Sequence, residues 1–382
     1  MSVHAPVAAA VRATNIVFAC CGFLLASWVA RIPQLRDHLN LDSTQLGWVL
    51  LGAAAGALVS RPLSGVIVVR LGQRRTVAVT GVLAAIGLVV VGAGDFTKPA
   101  VLVAGLLIIG FAGAAWDVAM NVQGTEVERA LGRSIMPRFH AAFAAGTVVA
   151  AAIGAAMVAL RVPVVLHLAV VALVVAVAVP LASRDYLPDE RHVTKGGSGA
   201  VRAWREPRTL LIGLYVLAFA FGEGAANDWI AVALIDGHGA AEVVGALGFA
   251  VFLAAVTLVR WFGAGLLDRY GRVTVLRALG VITIVGLLLF IFGPNLPVAL
   301  FGALLWGVGT AFGYPVGMSA GADDPRYAAA RVAVISTVGK MAAFTGPPLI
   351  GWIGDHASVL RALLLVVALQ GVALLIAGAT RK

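Results

Sequence analysis

The chain has 382 residues, 61% of them apolar and only 12% charged, with a mean hydropathy of +0.98. Soluble domains carry about a quarter charged residues, so this composition excludes a soluble enzyme, a disordered chain and a disulfide scaffold. A formal net charge of +10 would suggest nucleic acid in a soluble protein; in so apolar a chain the question is where that charge sits.

A membrane helix needs about 20 mostly apolar residues. Twelve such runs are predicted, near 14–35, 44–68, 75–94, 100–122, 138–160, 162–182, 209–234, 242–266, 273–293, 296–318, 328–350 and 358–379. Runs such as VVALVVAVAV do not alternate, which excludes the strands of a membrane barrel. Cys20 and Cys21 are adjacent in the first run and read as small buried residues rather than a metal or disulfide site. That run ends in Arg-Ile-Pro rather than a small-residue cleavage site, so it reads as a retained span.

Placing both termini in the cytoplasm puts 20 Lys and Arg in inner segments and 5 in outer ones, namely Arg31, Arg36, Lys98, Arg161 and Arg361. That bias sets the orientation. It also explains the net charge without nucleic acid. The longest polar stretch, 183–208 with its Gly-Gly-Ser-Gly, reads as a cytoplasmic linker. It separates an N-terminal six-helix bundle (1–182) from a C-terminal one (209–382).

The two halves share weak self-similarity. Shifted by 197, Gly110, Ala114 and Gly124 of span 4 fall on Gly307, Ala311 and Gly321 of span 10. Shifted by 193, Arg138 and Gly146 fall on Arg331 and Gly339. Shifted by 199, Arg61, Arg70 and Gly72 fall on Arg260, Arg269 and Gly271. The fold expected is therefore an all-α membrane protein of twelve transmembrane helices in two pseudo-symmetric six-helix bundles.

Here a resemblance becomes specific. Gly65-VIV-Val69-Arg70-Leu71-Gly72-Gln73-Arg74-Arg75 and Ala264-GLL-Asp268-Arg269-Tyr270-Gly271-Arg272 are similar to the G-x-x-x-D-R-x-G-R-R loop signature of the major facilitator superfamily. The first copy lacks the Asp; the second keeps it. Asp117-x-x-x-Asn121 is similar to the acid-x-x-x-Asn of fucose-permease-like sugar symporters. The run DVAMNVQGTEVE followed by MPRFHAAFAAG resembles the MosC-like subgroup, which is associated with rhizopine. The resemblance implies alternating access, with a small-molecule solute bound between the halves and a proton as coupling ion. It implies no other cofactor, no nucleic acid and no enzymatic step. The setting expected is a monomer in the lipid bilayer of a bacterial inner membrane.

Charges inside spans are costly and usually functional. Gly110, Gly113, Asp117, Asn121 and Gly124 share one helix face. Asp117 reads as a protonatable carboxylate with Asn121 as its hydrogen-bonding neighbour; a structural ion pair is the alternative. Glu223 stands near the middle of span 7 with Asn227 one turn on, and Tyr215 and Phe219 continuing the face. It reads as a proton or solute group, or as the partner of Lys340. Arg61 and Arg260 lie too deep to be loop residues. Their symmetry suggests pairing with Asp117 or bonding to carbonyls, with binding of an anionic solute as the alternative. Trp306, Thr310 and Tyr314, one turn apart, suit stacking on a sugar and bonding its hydroxyls, although core aromatics show the same spacing. Trp28 and Trp229 read as interfacial. His140 reads as structural, with a proton relay as the alternative.

For gating, the resemblance implies that Asp268 accepts from the start of span 5 near Arg138. The equivalent latch toward Arg331 lacks its acid, because Val69 stands there. On the outer side Arg31 and Asp228 are candidate latch partners. The reading that results is proton-coupled symport of a small polar, sugar-like solute. A proton-coupled exporter of drugs or metabolites is the alternative. Drug antiporters usually carry Gly-Pro in span 5, whereas here no Pro follows Pro137 and Gly346-Pro347-Pro348 lies in span 11. A sensor would need more than the roughly 25-residue soluble segment, and a channel would not need coupling carboxylates.

Overall fold

The computed structural model describes residues 4–94, 98–132, 135–188, 203–324 and 327–381. The described residues are dominated by helices, in the order α1 (His4–Val29), α2 (Ile32–His38), α3 (Ser43–Leu71), α4 (Gln73–Gly94), α5 (Pro99–Leu131), α6 (Met136–Ala159) and α7 (Val164–Ala182). After the linker come α8 (Pro207–His238), α9 (Glu242–Phe262), α10 (Ala264–Tyr270), α11 (Arg272–Phe292), α12 (Leu296–Thr310), α13 (Gly313–Gly321), α14 (Ala328–His356), α15 (Val359–Ala362) and α16 (Leu364–Ile376). Among the described residues, eleven segments are long and apolar enough to cross a membrane. The remaining predicted span, span 11 or α14, has the length, with 29 residues, but carries Arg331, Lys340 and Asp355.

Local sequence sets the helix ends. Pro99 and Pro207 open α5 and α8, where a missing N–H costs nothing. Gly132 and Gly239 close them in the left-handed region, at φ 65° each. Span 10 is predicted as one helix but is broken: α12 ends at Thr310 and α13 starts at Gly313. Span 8 is likewise divided between α9 and α10 at Gly263. A side chain at Gly263 would meet the ring of Phe312, so the two breaks pack against each other.

The chain divides into two compact units, Met1–Leu41 with Trp48–His192, and Val193–Lys382 with Asp42–Gly47. The first turn of α3 thus groups with the C-terminal unit, which the sequence does not foretell. The linker is also shorter than expected. Ser183–Asp185 forms a 3-10 turn against α1, α4 and α7, with Tyr186 buried, and α8 already begins at Pro207. The segment 189–202 lies outside the described residues.

Each unit is held by close helix crossings. In the N-terminal unit Gly22 lies against the Phe143 carbonyl and Gly146 against that of Ala19, bringing α1 onto α6. In the C-terminal unit Gly286 and Gly302 join α11 to α12. Small residues permit this approach, which gives dispersion contact where lipid removes the hydrophobic drive. The C-terminal core gathers Ile212, Tyr215, Val216, Phe219, Leu276, Phe312 and Ile335. Leu173, Phe292 and Leu375 remain exposed, as residues bathed by lipid tails should.

Candidate solute and proton site

In the C-terminal unit the site is built around the break in span 10. Ending α12 at Thr310 leaves carbonyls without helical partners. One of them, on Ala311, accepts from Arg260 Nε at 2.8 Å. Arg260 can reach it because it sits in the last turn of α9, next to the break at Gly263. Its Nη2 then donates to both carboxylate oxygens of Glu223, at 2.9 and 3.2 Å. The pair is partly open, with side-chain exposures of 36% for Arg260 and 28% for Glu223. A side chain at the neighbouring Gly224 would meet nothing within 4 Å, so there is room beside the carboxylate. Asn227 is half-buried one turn further along.

This corrects one expectation. The partner of Glu223 is Arg260 and not Lys340, which is half-buried on α14. Arg260 bonds a carbonyl, one of its two predicted roles, and within its own unit the acid it meets is Glu223. The pseudo-symmetric Arg61 differs: it is exposed and makes no hydrogen bond or ion pair among the described residues. The difference follows from span 4, which runs unbroken through α5 and presents no free carbonyl at the equivalent point.

In the N-terminal unit Asn121 Nδ2 donates to the Asp117 carboxylate at 3.0 Å and to the Asp117 carbonyl at 2.8 Å. The predicted neighbour relation is therefore present. The stripe around it splits by role. Gly110 lets α5 touch Ala53 of α3, and Gly124 admits Met136 and Phe139, whereas Gly113 faces open space. Asp117 is exposed on the same face.

Several predicted site residues belong to the core. Trp306 and Thr310 are fully buried. Trp306 packs edge-on against Phe252 and Phe290, and the Thr310 hydroxyl is spent on the Trp306 carbonyl at 2.8 Å. They are withdrawn from solute in this structure. Of that stripe only Tyr314 is half-exposed. Tyr215 and Phe219 are core as well, at 4.8 Å between ring centroids. Trp28 and Trp229 are buried and not interfacial. The exposed tryptophans are Trp48, Trp204, Trp261 and Trp352. His140 stands edge-on to Phe18 at 5.3 Å.

At the start of α6 the amides of Ile135 and Met136 are taken by the Glu128 carboxylate at 2.7 and 2.9 Å. Arg138 is exposed beside them. The side chain of Asp268 lies outside the described ones. Val69 leaves the loop after span 2 without the signature acid, and Arg331 instead has an acid in its own unit: Glu206 accepts from its Nε at 2.6 Å and from its Nη2 at 3.3 Å. Arg31 is buried and donates to the Val162 carbonyl within the N-terminal unit. Asp228 is half-buried on α8.

The helical architecture agrees with comparison to known proteins. Residues 14–347 match the model of the Major Facilitator Superfamily. The chain belongs to this superfamily. It is 32% identical to the uncharacterized transporter y4wD of Sinorhizobium fredii, over 88% of this chain and 89% of that one. It is 25% identical to the membrane protein MosC of Rhizobium meliloti, over 94% and 87%. Among solved structures, a variant of the nucleoside transporter NupG superposes with a TM-score of 0.82 at 16% identity, covering 97% of this chain and 99% of that one. FucP in its outward conformation superposes at 0.66 and 16% identity over the whole of both chains. The protein is thus a multi-pass membrane transporter of small-molecule solutes with the twelve-helix alternating-access fold, and not an enzyme.

Proposed function

We propose that this major facilitator protein is a proton-coupled symporter of a small polar, sugar-like solute, with Glu223 and Asp117 as the proton-carrying groups. The observation that carries the reading is the Glu223–Arg260 pair at the broken span, half open and beside free space. Broken membrane helices offer carbonyls and dipole ends to ligands. With both groups charged, Glu223 occupies Arg260. Protonating Glu223 removes that competitor and frees two guanidinium donors for a solute oxygen, while Ala311 keeps the arginine in place. Proton and solute then favour one another's binding by the same factor, which is the thermodynamic signature of symport. Asp117, steadied by Asn121, supplies a second protonatable group on an open face. Tyr314, Asn227 and Lys340 are the remaining polar candidates for the solute. The setting is a bacterial inner membrane with both termini cytoplasmic, the protein acting as a monomer with no cofactor beyond the proton.

The test begins with a thermal-shift panel of monosaccharides, polyols and amino sugars on the purified protein. Hits are then carried into proteoliposomes, where inward solute gradients should drive proton uptake. Proton movement opposite to the solute would replace symport with the exporter reading. Solute flux without proton movement would remove coupling altogether.

A further inference from the structure

The C-terminal unit holds a cavity of about 740 Å³ where α10 meets α11. It belongs to neither carboxylate site. Its floor is the turn at Gly271, φ 76°, and the first residues of α11; its walls carry Arg272, Arg277 and Arg381. These arginines differ in what holds them. Arg272 bonds Asp323 at 2.7 Å and Ser319 at 3.1 Å. Asp323 also takes Arg208 at 3.2 Å, and Arg208 in turn binds the carbonyls of Ala379 and Arg381. That network pins the backbone at Ala379 and Arg381, and thereby holds Arg381 at the cavity. Arg277 and the Arg381 guanidinium have no partner among the described residues. Two arginines thus share the Asp323 carboxylate, while Arg277 and Arg381 line the open cavity without a partner among the described residues.

The rim shows what such a cavity meets. Leu267 lines it, and Trp261, Phe262 and Tyr270 are exposed on the adjoining helix ends, at 60%, 77% and 52%. Exposed Trp and Tyr collect at headgroup depth. The charge bias assigns this end of the spans to the cytoplasmic leaflet, where anionic lipids attract basic clusters. The pseudo-equivalent turn in the N-terminal unit is closed: Gln73 is buried there and bonds Glu126. The geometry points to a binding site for the phosphodiester of an anionic phospholipid. Arg277 and Arg381 donate to its oxygens, the start of α11 lies beneath it, and the acyl chains run out over Leu267 and Phe262.

Native mass spectrometry of the detergent-purified full chain tests this. Cardiolipin or phosphatidylglycerol is titrated against phosphatidylcholine. The variants are Arg277→Gln/Arg381→Gln, the charge-keeping Arg277→Lys/Arg381→Lys, and Arg381→Gln alone, whose side chain no described residue holds. The expected result is preferential retention of anionic lipid, weakened about tenfold or more in the double glutamine variant, by a smaller factor in Arg381→Gln, and largely restored by the lysines. Equal retention by the wild type and both glutamine variants overturns the site. Displacement of the lipid by millimolar inorganic phosphate, with equal phosphate binding in lipid-free protein, overturns the lipid assignment in favour of a free-phosphate site.

Discussion

Arg260 bridges Glu223 and the Ala311 carbonyl, joining the one acid at the middle of α8 to the one break in span 10. Each half of that bridge has a separate job. The carbonyl bond fixes the guanidinium; the carboxylate bond is the one a proton can release. Arg260→Lys keeps the charge but cannot reproduce the two-sided geometry. The expected outcome is a protein that folds and still binds solute, with affinity reduced about tenfold or more and with a weaker pH dependence of KM. The exposed half of the pair is worth about 1 kcal/mol or less in stability, so thermal melts should move little.

Two glycines three residues apart on α5 make a direct contrast. Gly110 touches the Ala53 backbone, while Gly113 faces open space. Gly110→Ala should separate α3 from α5 and cost about 1–3 kcal/mol, seen as a lower melting temperature and poorer yield. Gly113→Ala should fold normally and change solute KM instead, because its methyl enters the space beside Asp117.

The start of α3 is fully capped by three side chains. Asp42 and Gln45 form a reciprocal capping box, at 2.7 and 3.1 Å, and Asp355 at the end of α14 accepts from the amides of Ser43 and Thr44 at 2.9 and 2.8 Å. Burial raises the Asp355 carboxyl, but the bonds from Thr44 and Ser43 outweigh it and hold the group below the usual carboxylate range. A depressed carboxylate contributes stability above its unfolded pKa and loses it as pH falls through the folded one. The clasp should therefore persist at neutral pH and release only in acid, below about pH 4. Asp355→Ala should cost about 1–2 kcal/mol. Hydrogen exchange of a peptide covering 43–47, corrected for intrinsic rates, should accelerate in the variant at neutral pH and in the wild type only on strong acidification.

Glu206 and Arg331 make a fourth test. Glu206 also accepts from the Thr209 hydroxyl at 2.9 Å, so it ties the first turn of α8 to α14. Glu206→Gln should loosen that junction with a modest drop in melting temperature, and the swap of Glu206→Arg with Arg331→Glu should recover part of it. No recovery would mean that the pair adds nothing beyond packing.

Span positions, the two-part repeat and the family were legible because they rest on long-range averages: hydropathy over about 20 residues and loop charge. Asp117 with Asn121 was legible because both lie on one helix, one turn apart. Partners across helices were not. Glu223 and Lys340 sit at similar depths, and nothing in a one-dimensional pattern prefers Arg260; the deciding feature is the break after Thr310, which Gly313 and Pro315 hint at only weakly. Trp306 and Thr310 have the spacing of a solute face and of a core face alike, and burial alone separates the two. Glu128 and Glu206 were missed because their bonds run to amides 7 and 8 residues away and to an arginine 125 residues away.

The central claim is that proton and solute meet through the carboxylates. Its most direct measurement is solute-driven proton uptake in proteoliposomes by the wild type, Asp117→Asn and Glu223→Gln, each checked for folding by its melt. The account predicts that at least one variant still exchanges solute across the membrane while its proton-to-solute ratio falls to zero. Proton coupling unchanged in both variants would contradict it.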